Sequence, residues 1–164
     1  VIGLAKMLKY QVVSDPRFTS LPNTDLNAKV DAARAALDEN DIVFLHVKGP
    51  DICAHDKNPE AKKALLESID CALLSLQREH LVIAVTGDHS TDCNTGNHTG
   101  DPVPSLLSAP LGRRDLCSRF GECYCAGGGL GRTSATGFLC SMLDAMGFMH
   151  KMKPGEAHLF THSL

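Results

Sequence analysis

The chain has 164 residues, of which 43% are hydrophobic and 21% are charged. This composition fits one globular domain with an ordinary core and excludes disordered and collagen-like proteins. The formal net charge of -3 leaves no basic footprint for nucleic acid, and no apolar run is long enough to cross a bilayer. We therefore expect a single cytoplasmic domain over residues 1–164 that has neither nucleic acid nor a membrane as a partner.

Cysteine usage supports the same compartment. The seven cysteines are odd in number and irregular in spacing, which argues against a secreted disulfide framework. Cys117, Cys123 and Cys125 form the only cluster, but their spacing is not the Cys-x-x-Cys spacing of a zinc knuckle. The sequence favours reduced thiols that serve as small apolar residues.

The first half of the chain alternates helical and strand patterns. Apolar residues at helical spacing from Leu26 to Leu37 predict a helix of three to four turns. The continuous apolar run 42–47 predicts a strand that is buried on both faces. Asn58 and Pro59 then supply an N-cap and a first-turn proline for a long helix whose apolar face runs to Leu76.

The second half continues the alternation. Residues 81–86 predict another buried strand, and 104–109 predict a shorter strand near a sheet edge because of its prolines. Residues 111–132 are expected to form an irregular insertion. Thr133 or Ser134 caps a last helix, which Gly147 closes. This order predicts an α/β fold with layers around a mostly parallel sheet.

Five metal-capable side chains follow the predicted strands. Asp51 and His55 are four residues apart, so one helical turn would bring the carboxylate and the imidazole onto one face. Asp88 and His89 are adjacent and come directly after a strand, and His98 leads into the next one. Because loops after parallel strands share one sheet edge, we expect all five to converge in one cleft as a two-metal phosphoryl-transfer centre.

Other candidates carry less weight. His158 and His162 are four apart, but they lie in a tail that is expected to fray, so we do not assign them as ligands. Ser90 and Thr91 follow Asp88 and His89, yet hydroxyls at these positions need not face an ion. We therefore do not expect either to act as a nucleophile.

Three motifs in order carry a resemblance to a known family. They are His46-Val-Lys-Gly-Pro-Asp-Ile-Cys-Ala-His55, Thr86-Gly-Asp-His-Ser-Thr91 and Asn97-His-Thr-Gly-Asp-Pro-Val-Pro104. They resemble the metal-binding motifs of the archaeal-type 2,3-bisphosphoglycerate-independent phosphoglycerate mutases, in the alkaline phosphatase superfamily. The glycine-rich loop 127–132 is similar to a late segment of that branch, and the resemblance extends from about residue 1 to residue 148.

The resemblance implies a ligand set. Asp51, His55 and His98 would hold one divalent ion, and Asp88 and His89 would hold part of a second. Mixed carboxylate and imidazole ligands suit manganese or zinc, with magnesium as a third candidate. The family completes the second ion with an early aspartate and with a serine that accepts the phosphoryl group, and this sequence has no segment like either. We expect at most one tight metal site here.

The resemblance also implies a fold and a reaction. The fold would be an alkaline-phosphatase-like three-layer sandwich, incomplete because the chain would be the carboxy-terminal part of the metal-binding domain. The parent enzyme would interconvert 3-phosphoglycerate and 2-phosphoglycerate, in glycolysis and gluconeogenesis, through a metal-assisted phosphoserine. Another superfamily phosphohydrolase or a phosphopentomutase is the alternative, since these share the metal motifs. A non-catalytic metal-binding module is a third reading.

Two basic residues are candidates for substrate contact. Lys48 stands three residues before Asp51, and Arg132 ends the glycine-rich loop. Either could clamp the phosphoryl group of a small phosphorylated substrate.

Without the nucleophile serine, we expect the isolated chain to be inactive. A bare sheet edge would favour self-association.

Overall fold

The chain folds as two units in the computed structural model, which describes residues 1–76 and 80–149. The first unit comprises residues 1–76 with 91–98, and the second comprises residues 80–90 with 99–149. Among these residues, no helix combines the length and the apolar character that a membrane span requires.

Four helices form most of the first unit, and one of them, α4, begins at its predicted cap, Asn58. They are α1 (Ile2–Met7), α2 (Leu26–Ala36), α3 (Gly49–His55) and α4 (Pro59–Leu73), followed by a 3-10 turn at Leu74–Leu76. The Asp25 carboxylate caps α2 by accepting from the Ala28 N–H, and Asn58 caps α4 by accepting from the Ala61 N–H. The helix α1 is an addition to the prediction, which had only a short apolar opening there.

The core of this unit lies where α4 packs against α2 and α3. Its buried apolar side chains are Ala28, Val30, Ala33, Cys53, Ala54, Leu65 and Leu76. The start of α3 approaches α4 closely at Gly49, where a Cβ atom would lie 2.6 Å from Leu65 Cδ2 and 3.0 Å from the Pro22 Cα. Glycine at this position therefore sets the depth at which α3 sits against α4.

Residues 42–47 do not form the predicted buried strand. They are outside helices and strands and belong to neither sheet of the described residues. Phe44 is 69% exposed, and its ring meets that of Tyr10 edge to face. An apolar run becomes a buried strand only where strands pair with it and layers cover both faces, and the described residues place neither around Phe44.

Four short strands form two small sheets. They are β1 (Ile83–Val85), β2 (Ser90–Asp92), β3 (Asn97–Thr99) and β4 (Leu106–Ser108). β1 pairs antiparallel with β4, with Ala84 opposite Leu107, and β2 pairs with β3. The strands predicted at 81–86 and 104–109 are therefore present in shortened form. The mixed α/β class agrees with the prediction, but the described pairings include no parallel sheet.

The rest of the second unit follows the predicted pattern. Residues 111–132 are irregular apart from the single turn α5 (Glu122–Cys125). The last helix is α6 (Ala135–Ala145), whose first turn is capped by the Ser134 hydroxyl. Gly147 follows it with a φ of 78°, in the left-handed region that glycine adopts after a helix. All seven cysteines lie within the described residues and are free thiols.

Candidate metal centre

Three of the five predicted ligands lie together within the first unit. Asp51, His55 and His98 each offer a ligand atom, and these atoms all lie within 4.8 Å of one another. The helix α3 supplies Asp51 and His55, which share a face because they are four residues apart. The strand β3 supplies His98. These three predicted residues therefore lie close together, and their role as metal ligands stays a prediction.

The distances within the cluster fit a divalent ion. His55 Nε2 lies 3.3 Å from His98 Nε2 and 3.4 Å from Asp51 Oδ1. In a tetrahedral shell with metal–ligand distances of about 2.0–2.1 Å, neighbouring ligand atoms lie about 3.3–3.4 Å apart. The two measured separations therefore match two edges of such a shell. One carboxylate with two imidazoles is also a donor set that binds divalent transition metals.

The Asp51 carboxylate is half-buried and held at both oxygens. Lys48 Nζ donates to Oδ2 at 2.7 Å, and the Thr91 hydroxyl donates to Oδ1 at 2.9 Å. Burial by itself raises the pKa of Asp51, but the hydrogen bonds from Lys48 and Thr91 outweigh it and hold that pKa below its ordinary value. Asp51 is therefore ionised at neutral pH, as a metal ligand must be.

The His55 ring is oriented by a backbone carbonyl. His55 Nδ1 lies 2.8 Å from the Gly96 carbonyl oxygen, which can only accept a hydrogen bond. Nδ1 must therefore carry the proton, so Nε2 of the neutral ring presents its lone pair to His98 and Asp51. Metal-binding histidines are commonly fixed by such a bond from the second ring nitrogen.

The turn between β2 and β3 brings that carbonyl to His55. The Asp92 carboxylate accepts from the backbone N–H groups of Asn94 and Thr95, at 2.9 and 3.2 Å. These bonds lower the pKa of Asp92, the bond from Asn94 most strongly. Gly96 completes the turn with a φ of 72°, and a Cβ there would lie 2.9 Å from the His55 carbonyl oxygen. A side chain at Gly96 would thus push the turn away from α3.

Asp88 and His89 are adjacent in the second unit, just after β1. The Asp88 side chain is 89% exposed, and its Oδ2 lies 3.6 Å from His89 Nε2. The His89 backbone N–H also donates to Asp88 Oδ1 at 3.2 Å. Two adjacent residues supply two donors, one fewer than the Asp51 cluster. Their assignment as ligands of a second ion stays a prediction.

The remaining predicted residues differ in their surroundings. Lys48 lies at the cluster, where its ammonium group engages Asp51. Arg132 is exposed, three residues before α6. A substrate role for either stays a prediction. His158 and His162 lie outside the described residues.

Sequence reasoning missed two residues of the centre. It considered Thr91 only as an unlikely nucleophile, whereas the structure buries its hydroxyl against Asp51. It did not single out Gly96, although a glycine between Thr95 and Asn97 is a usual turn signal. That signal could have identified the turn, but no local pattern indicates that the turn meets a histidine 41 residues earlier.

Known proteins are similar to this chain over most of its length. The 2,3-bisphosphoglycerate-independent phosphoglycerate mutase of Thermococcus kodakarensis is 39% identical over 150 residues, which are 89% of this chain and 36% of that protein. The protein of the same name from Methanosphaerula palustris is 38% identical over 152 residues, 92% of this chain and 37% of its own length. The chain thus spans little more than a third of these curated relatives.

A solved structure supports the likeness in three dimensions. The structure of the PH0037 protein from Pyrococcus horikoshii matches with a TM-score of 0.85 and 37% identity, over 93% of this chain and 47% of that one. The sequence profile of the Metalloenzyme superfamily matches residues 4–145, which include the Asp51 cluster and the Asp88 pair. By this match over most of its length, the chain belongs to the Metalloenzyme superfamily.

Proposed function

We propose that this chain is the metal-binding carboxy-terminal part of a 2,3-bisphosphoglycerate-independent phosphoglycerate mutase. The whole enzyme would interconvert 3-phosphoglycerate and 2-phosphoglycerate through a phosphoserine that this chain does not supply. The observation that carries the proposal is the cluster of Asp51, His55 and His98, whose ligand atoms lie within 4.8 Å of one another. The relatives that bear this name match the region that contains all three residues.

The proposed cofactor of the cluster is zinc or manganese, with magnesium a weaker candidate. Ligand-atom separations of 3.3 and 3.4 Å favour a tetrahedral ion, and zinc is the metal that most often adopts that geometry with histidine ligands. Magnesium prefers an octahedron of oxygen ligands. We further propose that Asp88 and His89 bind part of a second ion in the whole enzyme, as their motif suggests.

The side chains of this chain would hold the metal ion and neutralise charge, and they would not react with the substrate themselves. A bound divalent ion would supply positive charge to stabilise a phosphoryl group during transfer. Asp51 and His55 would hold the ion from α3, and His98 would supply a third ligand from β3. Lys48 adds a second positive charge next to Asp51. Arg132 is the second basic residue that we propose as a substrate contact.

The setting of the whole enzyme follows from the same resemblance. We propose an alkaline-phosphatase-like sandwich with a mostly parallel sheet, of which residues 1–164 would be one part. A small phosphorylated acid would be its substrate, and exposed sheet edges would favour association between chains. The seven free thiols suit a reducing compartment, so we propose a cytoplasmic location.

A metal titration tests the cofactor assignment. Calorimetry with zinc and then manganese should show one tight equivalent per chain, because only the Asp51 cluster brings three protein donors together among the described residues. The Asp88 pair offers two donors and should add only weak binding. Two tight equivalents would contradict the assignment, and no binding would remove the metal centre from the proposal.

A chimaera tests the reaction. The matching 150 residues of the Thermococcus kodakarensis enzyme would be replaced by this chain, and formation of 2-phosphoglycerate from 3-phosphoglycerate would be followed with manganese present. We expect mutase activity in the chimaera, loss of activity with His98→Ala, and retention with His80→Ala, an exposed histidine outside the motifs. A folded, metal-binding chimaera without mutase activity would favour a phosphohydrolase or a non-catalytic module.

The isolated chain provides the complementary test. Purified alone with 3-phosphoglycerate and manganese, it should form no 2-phosphoglycerate, because transfer and return of the phosphoryl group require a covalent acceptor and a closed cleft. Turnover that disappears in His98→Ala would contradict this expectation and would direct attention to Ser90, Thr91 and Thr99 as acceptors.

A further inference from the structure

We infer that the hairpin formed by β2 and β3 positions all three ligands of the metal centre. It carries His98 itself, it fixes the Asp51 carboxylate through the Thr91 hydroxyl, and it fixes the His55 ring through the Gly96 carbonyl. Thr91 and Gly96 would thus be positioning residues, because each contacts a proposed ligand and is not a proposed ligand itself. This inference rests on the proposed metal site.

The Thr91 hydroxyl helps to fix the orientation in which the Asp51 carboxylate can bind an ion. Thr91 is one of two buried polar residues among those described, and its hydroxyl donates to Oδ1. Lys48 occupies Oδ2, so rotation of the carboxylate would break both hydrogen bonds. The second lone pair of Oδ1 remains available on the side of His55 Nε2, 3.4 Å away. Asp51 is therefore fixed as a ligand through one oxygen.

The strand that carries Thr91 is itself anchored to the helical core. Lys62 Nζ, from α4, donates to the Thr91 carbonyl oxygen at 3.2 Å. The same residue is thus held by its backbone to α4 and by its side chain to α3. These two attachments fix the position of β2 relative to α3, the helix that carries Asp51 and His55.

Gly96 lies in the turn of the hairpin, where an added side chain would be strained. Its carbonyl oxygen accepts a hydrogen bond from the N–H at His55 Nδ1, which leaves Nε2 as the ring nitrogen that can bind an ion. Its φ of 72° and the 2.9 Å approach of a Cβ to the His55 carbonyl oxygen both exclude larger residues. His98 follows two residues later on β3, so a shift of this turn would move His98 and release His55 together.

The test measures affinity for zinc and the visible spectrum of bound cobalt, with the full chain and without any activity assay. Thr91→Val keeps the shape of the side chain but removes the hydroxyl, and Thr91→Ser keeps the hydroxyl. Loss of an outer contact to a metal ligand typically lowers metal affinity by about 10- to 100-fold. We expect a loss of that size in Thr91→Val, with a changed cobalt spectrum, and recovery of most affinity in Thr91→Ser.

Thr24→Val is the matched control. Thr24 is the other buried threonine, and its hydroxyl lies 3.4 Å from the Arg17 carbonyl oxygen rather than from any ligand. This variant should bind zinc and cobalt as the unchanged chain does, whatever it costs in thermal stability. Gly96→Ala provides a second approach to the hairpin, and its cobalt spectrum should differ from that of the unchanged chain even at saturating metal.

The outcomes separate the inference from the proposal beneath it. Tight zinc binding by the unchanged chain together with unaltered binding by a folded Thr91→Val would overturn the positioning role and leave the metal site intact. An equal loss in Thr91→Val and Thr24→Val would reduce the effect to general destabilisation and would also overturn it. No zinc or cobalt binding by the unchanged chain would overturn both.

Discussion

The cluster around Asp51 and the pair at Asp88 are built from the same residue types and differ in what surrounds them. Asp51 has a side chain that is 20% exposed, whereas that of Asp88 is 89% exposed. Two side chains hold the Asp51 oxygens, and a carbonyl holds the His55 ring. For Asp88, the recorded partners are the side chain and the backbone N–H of the next residue, His89.

The difference indicates which aspartate and histidine are better prepared to bind an ion. Ordering a side chain costs conformational entropy, and hydrogen bonds that order it before the ion arrives remove that cost from binding. The Asp51 cluster already has this order through α3 and the hairpin. Asp88 is far more exposed and has fewer groups to order it. We therefore expect the two regions to differ most in metal affinity.

The largest expected effect is the removal of a ligand from the ordered cluster. His98→Ala leaves two protein donors. Loss of an outer contact can lower metal affinity by about 100-fold, and we expect loss of the ligand itself to lower zinc affinity further. His89→Ala should leave the tight equivalent largely unchanged. Calorimetric titration of both variants measures the contrast, with His80→Ala as the control. A similar loss of the tight equivalent in both variants would break the distinction between the two regions.

An effect of intermediate size, on the free energy of unfolding, is expected at Gly49, where α3 packs against α4. Gly49→Ala places a Cβ 2.6 Å from Leu65 Cδ2 and 3.0 Å from the backbone of Pro22, and such overpacking costs about 1–3 kcal/mol of unfolding free energy. Urea unfolding measures the loss. Gly100→Ala is the matched control because no atom lies within 4 Å of its added Cβ. Equal stability of the two variants would show that α3 is free to shift, which would weaken its role in fixing Asp51.

The smallest expected effect concerns the turn that presents Gly96, and it depends on pH. The pKa of Asp92 is lowered by hydrogen bonds from Asn94 and Thr95, so its folded pKa lies below the unfolded value of about 3.9. The resulting stabilisation is complete above that unfolded value and is lost as the pH falls through the folded pKa. Because the carboxylate is exposed to solvent, the contribution is small.

Asp92→Asn tests this dependence. The variant should melt slightly below the unchanged chain at pH 7, and the difference in Tm should shrink as the pH falls below about 4. Asp101→Asn is measured in parallel to separate a local effect from a general change in net charge. A difference in Tm that stays constant from pH 7 to pH 3 would contradict a role for the Asp92 charge in holding the turn.

The sequence by itself determined the local features of this protein. The caps Asn58 and Ser134 mark the helices that follow them, because a side chain that accepts from a backbone N–H three residues later acts within one turn. The pairing of Asp51 with His55 follows from their spacing of four for the same reason. The motifs that contain these residues resemble those of the archaeal-type phosphoglycerate mutases, and the superfamily match over residues 4–145 agrees with that resemblance.

Only the tertiary structure decided which of these residues become a site. Residues 42–47 have the composition of a buried strand, yet a strand exists only where a partner pairs with it, and composition does not specify the partner. The hydrogen bonds of Thr91 to Asp51 and of Gly96 to His55 join residues 40 and 41 positions apart. Such contacts depend on the path of the whole chain, because local patterns constrain a residue only against its near neighbours.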